Sequence, residues 1–217
     1  MTNIFKKISQ ILIIIVLGFV YKIFYGMKSE GKKNIPKEGA LIFCGNHKSF
    51  FDAPAIEITT PRKMRFLAKE ELKKVLILHY ICWAFDSIWV KRDSKDISTI
   101  KEALKTLKNG GCIGIFPEGT RNGLEKNNGE IKSGAAYLAL KTQAKIIPVG
   151  ITGNGKPFTK NKVIYGEPFD LSQYNDRKID KGLEDEVNEL LKTKIFELIK
   201  EWWKMRKGDG SLFLKIL

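Results

Sequence analysis

Two short stretches hold the residues whose types and spacing could do chemistry. In Cys44-Gly45-Asn46-His47-Lys48-Ser49-Phe50-Phe51-Asp52, an aspartate follows a histidine by five positions. With His47 in a turn and Asp52 in the first turn of a helix, the carboxylate can fold back onto the imidazole Nδ1–H. That fixes the tautomer in which Nε2 is a free base. The second stretch is Phe116-Pro117-Glu118-Gly119-Thr120-Arg121-Asn122. Here Arg121 can present its planar fork to a phosphate, and Gly119 lets backbone approach a ligand closely. Glu118 can accept hydrogen bonds from substrate hydroxyls or hold the turn.

Each stretch has a plainer reading. A His-x₄-Asp spacing arises by chance easily enough that Asp52 could be only a helix cap, and an isolated Glu-Gly-Thr-Arg is most often a solvated loop. A base and its orienter without a protein nucleophile would activate a hydroxyl carried by the substrate. Such a base typically contributes about 10²–10⁴ in rate. Cys44 is the one nearby thiol, but its place at the end of an apolar run argues for a buried, inert group. His79, within an apolar helical stretch, reads as a packed or interfacial histidine.

The elements that would position these residues follow from the hydrophobic pattern. Short apolar runs over 40–44, 87–90, 112–116, 146–151 and 162–165 alternate with helical patterns over 52–59, 71–85, 97–108 and 133–143. A last long helix is expected over 178–205. In the 97–108 segment, Ile97, Ile100, Leu104 and Leu107 trace one face before Gly110-Gly111 ends it. Continuously apolar strands separated by helices predict an α/β fold, a mostly parallel (mixed) sheet flanked by helices on both faces. Functional groups then gather at strand ends, where both stretches lie.

At the amino terminus, Ile11 to Tyr21 is unbroken apolar sequence, and 8–25 is interrupted only by Ser9, Gln10 and Lys22. As a helix, 18 residues measure about 27 Å against a hydrocarbon core of about 30 Å. The length fits either a span or an interfacial helix. The flanking sequence offers no small-residue cleavage site, so the segment is expected to stay on the chain. If it spans, the excess of lysines from Lys22 to Lys37 over Lys6 and Lys7 places the remainder in the cytosol. The domain reading is a membrane-associated helix with a basic flank over 1–30 and a cytosolic domain over 31–217.

Composition bounds the partners. The 217 residues suffice for one sizeable core. A formal charge of +14 favours a polyanionic partner: an anionic membrane surface, a phosphorylated substrate or nucleic acid. No nucleic-acid-binding signature is present, so nucleic acid is not expected. Three dispersed cysteines and two histidines give no metal-ligand spacing, and no structural metal is expected.

Taken in order, His-x₄-Asp, the lysine of Ala68-Lys69-Glu70-Glu71-Leu72, the Phe-Pro-Glu-Gly-Thr-Arg block and Ile147-Pro148-Val149-Gly150 resemble the glycerolipid acyltransferase family, specifically bacterial 1-acylglycerol-3-phosphate acyltransferases. The resemblance covers 34–168. It implies that His47 is the general base and Asp52 its orienter. It also implies that Glu118, Gly119, Thr120 and Arg121 bind the acceptor, with Lys69 a second phosphate contact and Arg92, from Ile88-Trp89-Val90-Lys91-Arg92, a further candidate for substrate binding. The implied acceptor is lysophosphatidic acid and the donor acyl-CoA or acyl carrier protein. No cofactor is implied, and the implied product is phosphatidic acid. Residues 48–51 depart from the usual pattern of that family, which leaves the acyl specificity, not the reaction, open on this likeness. Rival expectations are an acyltransferase for glycerol-3-phosphate or another lysolipid, or an inactive basic membrane-binding protein.

Overall fold

The computed structural model describes residues 2–91, 97–121, 131–132, 134–153, 157–159 and 161–207. The helices are α1 (Thr2–Ile23), α2 (Asp52–Thr59), α3 (Leu76–Ala84), α4 (Ile97–Lys108), α5 (Gly134–Thr142) and α6 (Lys181–Lys207). The strands are β1 (Lys28–Glu30), β2 (Leu41–Gly45), β3 (Arg65–Lys69), β4 (Ile88–Val90), β5 (Cys112–Ile115), β6 (Lys145–Thr152) and β7 (Lys162–Tyr165). They form one sheet in the order β1-β7-β6-β2-β5-β3-β4. Among the described strands β6 and β7 pair antiparallel, and the other five pairings are parallel.

Period-two alternation along β2 divides the core. Ile42 and Cys44 face a cluster built with α4, α5 and α6, through Ala103, Leu107, Ala136, Leu140, Val187 and Leu191. Leu41 and Phe43 face the opposite cluster, with Tyr21 of α1, Ala55 and Ile56 of α2, and Phe66 of β3. Both sides of the sheet are therefore covered, which is why its inner strands are apolar throughout. On α6 the buried positions Leu183, Val187, Leu191, Ile195 and Ile199 recur every fourth residue. Asp180 sets the start of that helix, accepting from the Leu183 N–H at 3.0 Å.

Four local expectations change. Helix α4 has the expected bounds, but it buries Thr99, Ala103 and Leu107 while Ile97 and Ile100 stay exposed; small Ala103 lets that side approach the sheet. The 71–85 helix splits into a 3-10 turn over Glu70–Lys74 and α3. Strand β3 lacks an apolar run because charged Arg65 and Lys69 bound it, and only Phe66 and Ala68 are buried. Strand β1, inside the expected 1–30 segment, pairs with β7. The sheet thus begins ahead of residue 31, not after it.

Candidate active site

Strands β2 and β5 are adjacent and parallel, with Cys44 opposite Ile115. His47 and Glu118 each lie three residues beyond that pair, so the two chains leave the sheet in step on the same rim. The register produces a direct bond: the His47 backbone N–H donates to Glu118 Oε1 at 2.8 Å. On the other side of β2, the Asn46 side chain extends the ladder to β6. Its Nδ2 donates to the Ile151 carbonyl at 3.0 Å and its Oδ1 accepts the Ile151 N–H at 2.6 Å. The turn carrying His47 is therefore held from both neighbouring strands.

Asp52 begins α2 and is buried, its side chain 5% exposed. Its Oδ2 lies 2.9 Å from His47 Nδ1. The same oxygen accepts the backbone N–H groups of Lys48 at 2.6 Å and Ser49 at 2.7 Å, and Oδ1 accepts the Ser49 hydroxyl at 2.9 Å. Four contacts thus converge on one buried carboxylate and fix its orientation. With Nδ1 engaged, Nε2 is the imidazole nitrogen available to a reactant. The Phe116 ring stacks on the imidazole, centroids 4.1 Å apart and planes 14° from parallel. The ring plane is thereby set by packing as well as by the carboxylate.

The Glu-Gly-Thr-Arg turn follows β5. Gly119 has φ 64° and its N–H donates to the Phe116 carbonyl at 3.0 Å, so this N–H is already engaged within the turn. A Cβ on Gly119 would lie 2.7 Å from the Lys132 side chain. Glu118 is 2% exposed; its carboxylate turns inward to hold the His47 turn. Thr120 and Arg121 are exposed. The Arg121 guanidinium lies 3.8 Å from the centre of the Phe50 ring, a cation–π contact with a residue inside the His-x₄-Asp stretch. The two stretches thus form one continuous surface.

Lys69 ends β3, the strand beyond β5, and is exposed on the same rim of the sheet. Arg92 lies outside the described residues. Cys44 is fully buried, and burial holds its thiol well above the usual range. His79 is on α3, with its ring edge-on to Trp89 at 5.8 Å. Three contributors carried no signal of their own in the sequence: Ser49 as a partner of Asp52, Phe50 beneath Arg121, and Phe116 over His47. The residues between His47 and Asp52 brace the carboxylate and seat the arginine.

Comparison with known proteins gives the same family throughout. The Acyltransferase family model matches residues 26–152. The 1-acyl-sn-glycerol-3-phosphate acyltransferase of Borreliella burgdorferi is 30% identical over 180 residues, covering 75% of this chain and 70% of the relative. That of Bacillus subtilis is 28% identical over 155 residues, covering 69% of this chain and 76% of the relative. The crystal structure of the 1-acyl-sn-glycerophosphate (LPA) acyltransferase PlsC from Thermotoga maritima superposes with a TM-score of 0.59 at 25% identity, covering 91% of this chain and 98% of that one.

Proposed function

This chain belongs to the acyltransferase family, and on that premise we propose that it moves a fatty acyl group from a thioester to the sn-2 hydroxyl of 1-acylglycerol-3-phosphate, yielding phosphatidic acid for phospholipid synthesis. The names of the relatives in two bacteria and of the solved structure support this acceptor. The observation that carries the reading is the junction of the His47–Asp52 pair with Arg121 through Phe50. It supports the reading because His47, proposed as the base, and Arg121, proposed as the phosphate-binding cation, belong to one surface at the end of the central strand.

In this reading Arg121 and Lys69 hold the acceptor phosphate, with Thr120 on the same exposed turn and Arg92 a further phosphate contact. The hydroxyl then lies within about 3 Å of His47 Nε2. His47 takes the hydroxyl proton as the oxygen attacks the thioester carbonyl. The tetrahedral intermediate collapses, the carbon–sulfur bond breaks, and the thiolate receives the proton from His47. Asp52 stabilises the transient imidazolium without taking the proton itself. Glu118 positions the His47 turn, and Gly119 gives the phosphate loop its left-handed turn. The donor is acyl-CoA or acyl carrier protein, and no cofactor is needed.

The acceptor and donor are amphiphiles, and α1 is an apolar helix of mean hydropathy 1.9 over Asn3–Ile23. We place the enzyme on the cytosolic face of the cell membrane, with the basic flank of α1 toward anionic headgroups. The test is acyl transfer to lysophosphatidic acid, beside glycerol-3-phosphate and other lysolipids, by wild type, His47→Ala and Arg121→Ala. Loss of turnover in the first and a raised acceptor KM in the second are expected. Preference for another acceptor would replace the substrate, and full activity of His47→Ala would overturn the mechanism.

A further inference from the structure

We propose that α3 is a second membrane-contacting element, latched to α1 so that the two helices lie side by side in the plane of the bilayer surface. The inference rests on the membrane attachment proposed above and assigns a surface to it. Leu76 is 82% exposed and Ile77 71% exposed in the first turn of α3, with Val75 open just before it. Tyr80 and Trp83, further along, are partly open and also meet α1. On α1, Ile4, Ile8, Ile11, Ile15 and Phe19 form an exposed stripe at helical spacing. Apolar surface on this scale is not left facing water by a monomeric protein.

The two helices are joined through several of their polar groups. Tyr80 donates its hydroxyl proton to Ser9 Oγ at 2.7 Å, and Ser9 in turn donates to the Phe5 carbonyl at 2.9 Å. Gln10 Nε2 donates to the Ala84 carbonyl at 2.5 Å, while its Oε1 accepts from Lys63 at 3.0 Å. Lys6 pairs with Asp86 just past α3, and Phe5 meets Trp83 with ring centroids 6.3 Å apart. Ser9, Gln10 and Tyr80, which would be costly to bring into lipid unpaired, are thus partnered.

The same contacts fix the attitude of α1. Near its start it is bonded to Asp86 through Lys6, and near its end the Tyr21 hydroxyl donates to the Phe51 carbonyl at 2.8 Å. These anchors are about 22 Å apart along the helix axis. A helix crossing the bilayer would carry one anchor away from the domain, whereas one lying along the surface keeps both. Exposed Lys7, Lys22, Lys73 and Lys74 flank the apolar faces, which suits an anionic leaflet and not a second copy of this basic chain. Phe51 adjoins Asp52, so the platform also sets the height of the reaction centre above the lipid.

The test is flotation of the full chain with vesicles of phosphatidylethanolamine and phosphatidylglycerol, comparing wild type with the double variant Leu76→Glu, Ile77→Glu. Turnover is measured in parallel on a short-chain lysophosphatidate below its micellar concentration. We expect vesicle partitioning to fall at least tenfold, with Tm and turnover on the monomeric substrate unchanged. A double variant that floats as wild type overturns the role of α3 alone. Failure of wild type to float overturns the membrane attachment as well. Retained flotation with lost monomeric turnover would make α3 a substrate-binding element and also overturn the proposal.

Discussion

The Phe50 ring lies against the Arg121 guanidinium at 3.8 Å, tying the turn after the second strand to the turn after the fifth. Phe50 is 58% exposed, an unusual place for a large apolar side chain unless its face is in use. In the proposed reaction the contact sets the arginine in place before the acceptor binds. An exposed cation–π pair contributes about 0.5–1 kcal/mol. Phe50→Ala should therefore raise the acceptor KM by roughly two- to fivefold with little change in kcat, and Phe50→Tyr should retain wild-type kinetics. Steady-state kinetics against varied lysophosphatidate decides this. An unchanged KM in Phe50→Ala would mean the stack has no part in acceptor binding.

Asp52 takes part in two tasks: steering His47 and closing the turn through Lys48 and Ser49. Asp52→Asn disturbs both, since an amide cannot accept from all these donors without presenting its own NH₂ to one of them. We expect kcat to fall by about 10³ or more. Ser49→Ala removes one hydroxyl bond and leaves the backbone donors. It should cost about 1 kcal/mol in stability and reduce kcat less than tenfold. Equal losses in the two variants, measured by turnover and thermal unfolding, would show the hydroxyl to be as important as the imidazole contact.

The placement of the candidate site was legible because parallel strands put their C-terminal ends on one rim. Two motifs that each follow an apolar run had to approach one another once those strands were neighbours. The adjacency of β2 and β5 was not legible, and neither was strand β3, whose ends are charged. The bracing residues were hidden for a different reason. Nothing about the type of Phe50 or Phe116 distinguishes a ring that seats a functional group from one that fills a core. Their roles emerge only from the register pairing Cys44 with Ile115.

A line of aromatic packing reaches His47 from within the sheet. The Phe66 ring occupies the space beside Gly114, where a Cβ would sit 2.3 Å from Phe66 Cε1. Phe66 in turn packs nearly parallel to Phe116 at 5.9 Å, and Phe116 stacks on His47. Gly114→Ala should displace the first ring and disturb the others. The expected cost is about 1–3 kcal/mol of stability, with a fall in kcat and little change in acceptor KM. Turnover that stays normal in a folded Gly114→Ala protein would uncouple the rings from the imidazole.

Cys44 bears on whether the acyl group ever resides on the protein. Its thiol is sealed in the core, and its pKa is driven up by burial, so a thiolate is strongly disfavoured. Cys44→Ala should keep most activity while losing roughly 1 kcal/mol or more from the small cavity created. Intact-mass measurement during turnover should find no acylated enzyme. Loss of activity in a stably folded Cys44→Ala variant would reopen a covalent route.

Glu57, on the face of α2 remote from His47, gives the fold a pH dependence of its own. It is 9% exposed, its Oε2 lacks a hydrogen-bond partner, and it borders a cavity of about 440 Å³ with Gln10, Lys63 and Arg65. Desolvation pushes its carboxyl pKa up to about 8, with Lys63 acting in the opposite direction. The unfolded chain releases this proton near pH 4.5, while the folded chain retains it to about pH 8. Between those limits the folded state binds more protons, so stability falls as pH rises and levels off above the folded value. Glu57→Gln removes the ionisation while keeping the shape. Its Tm should match wild type near pH 4.5 and exceed it by roughly 10 °C at pH 8. A Tm difference that stays constant from pH 5 to 9 would show that Glu57 is not the titrating group.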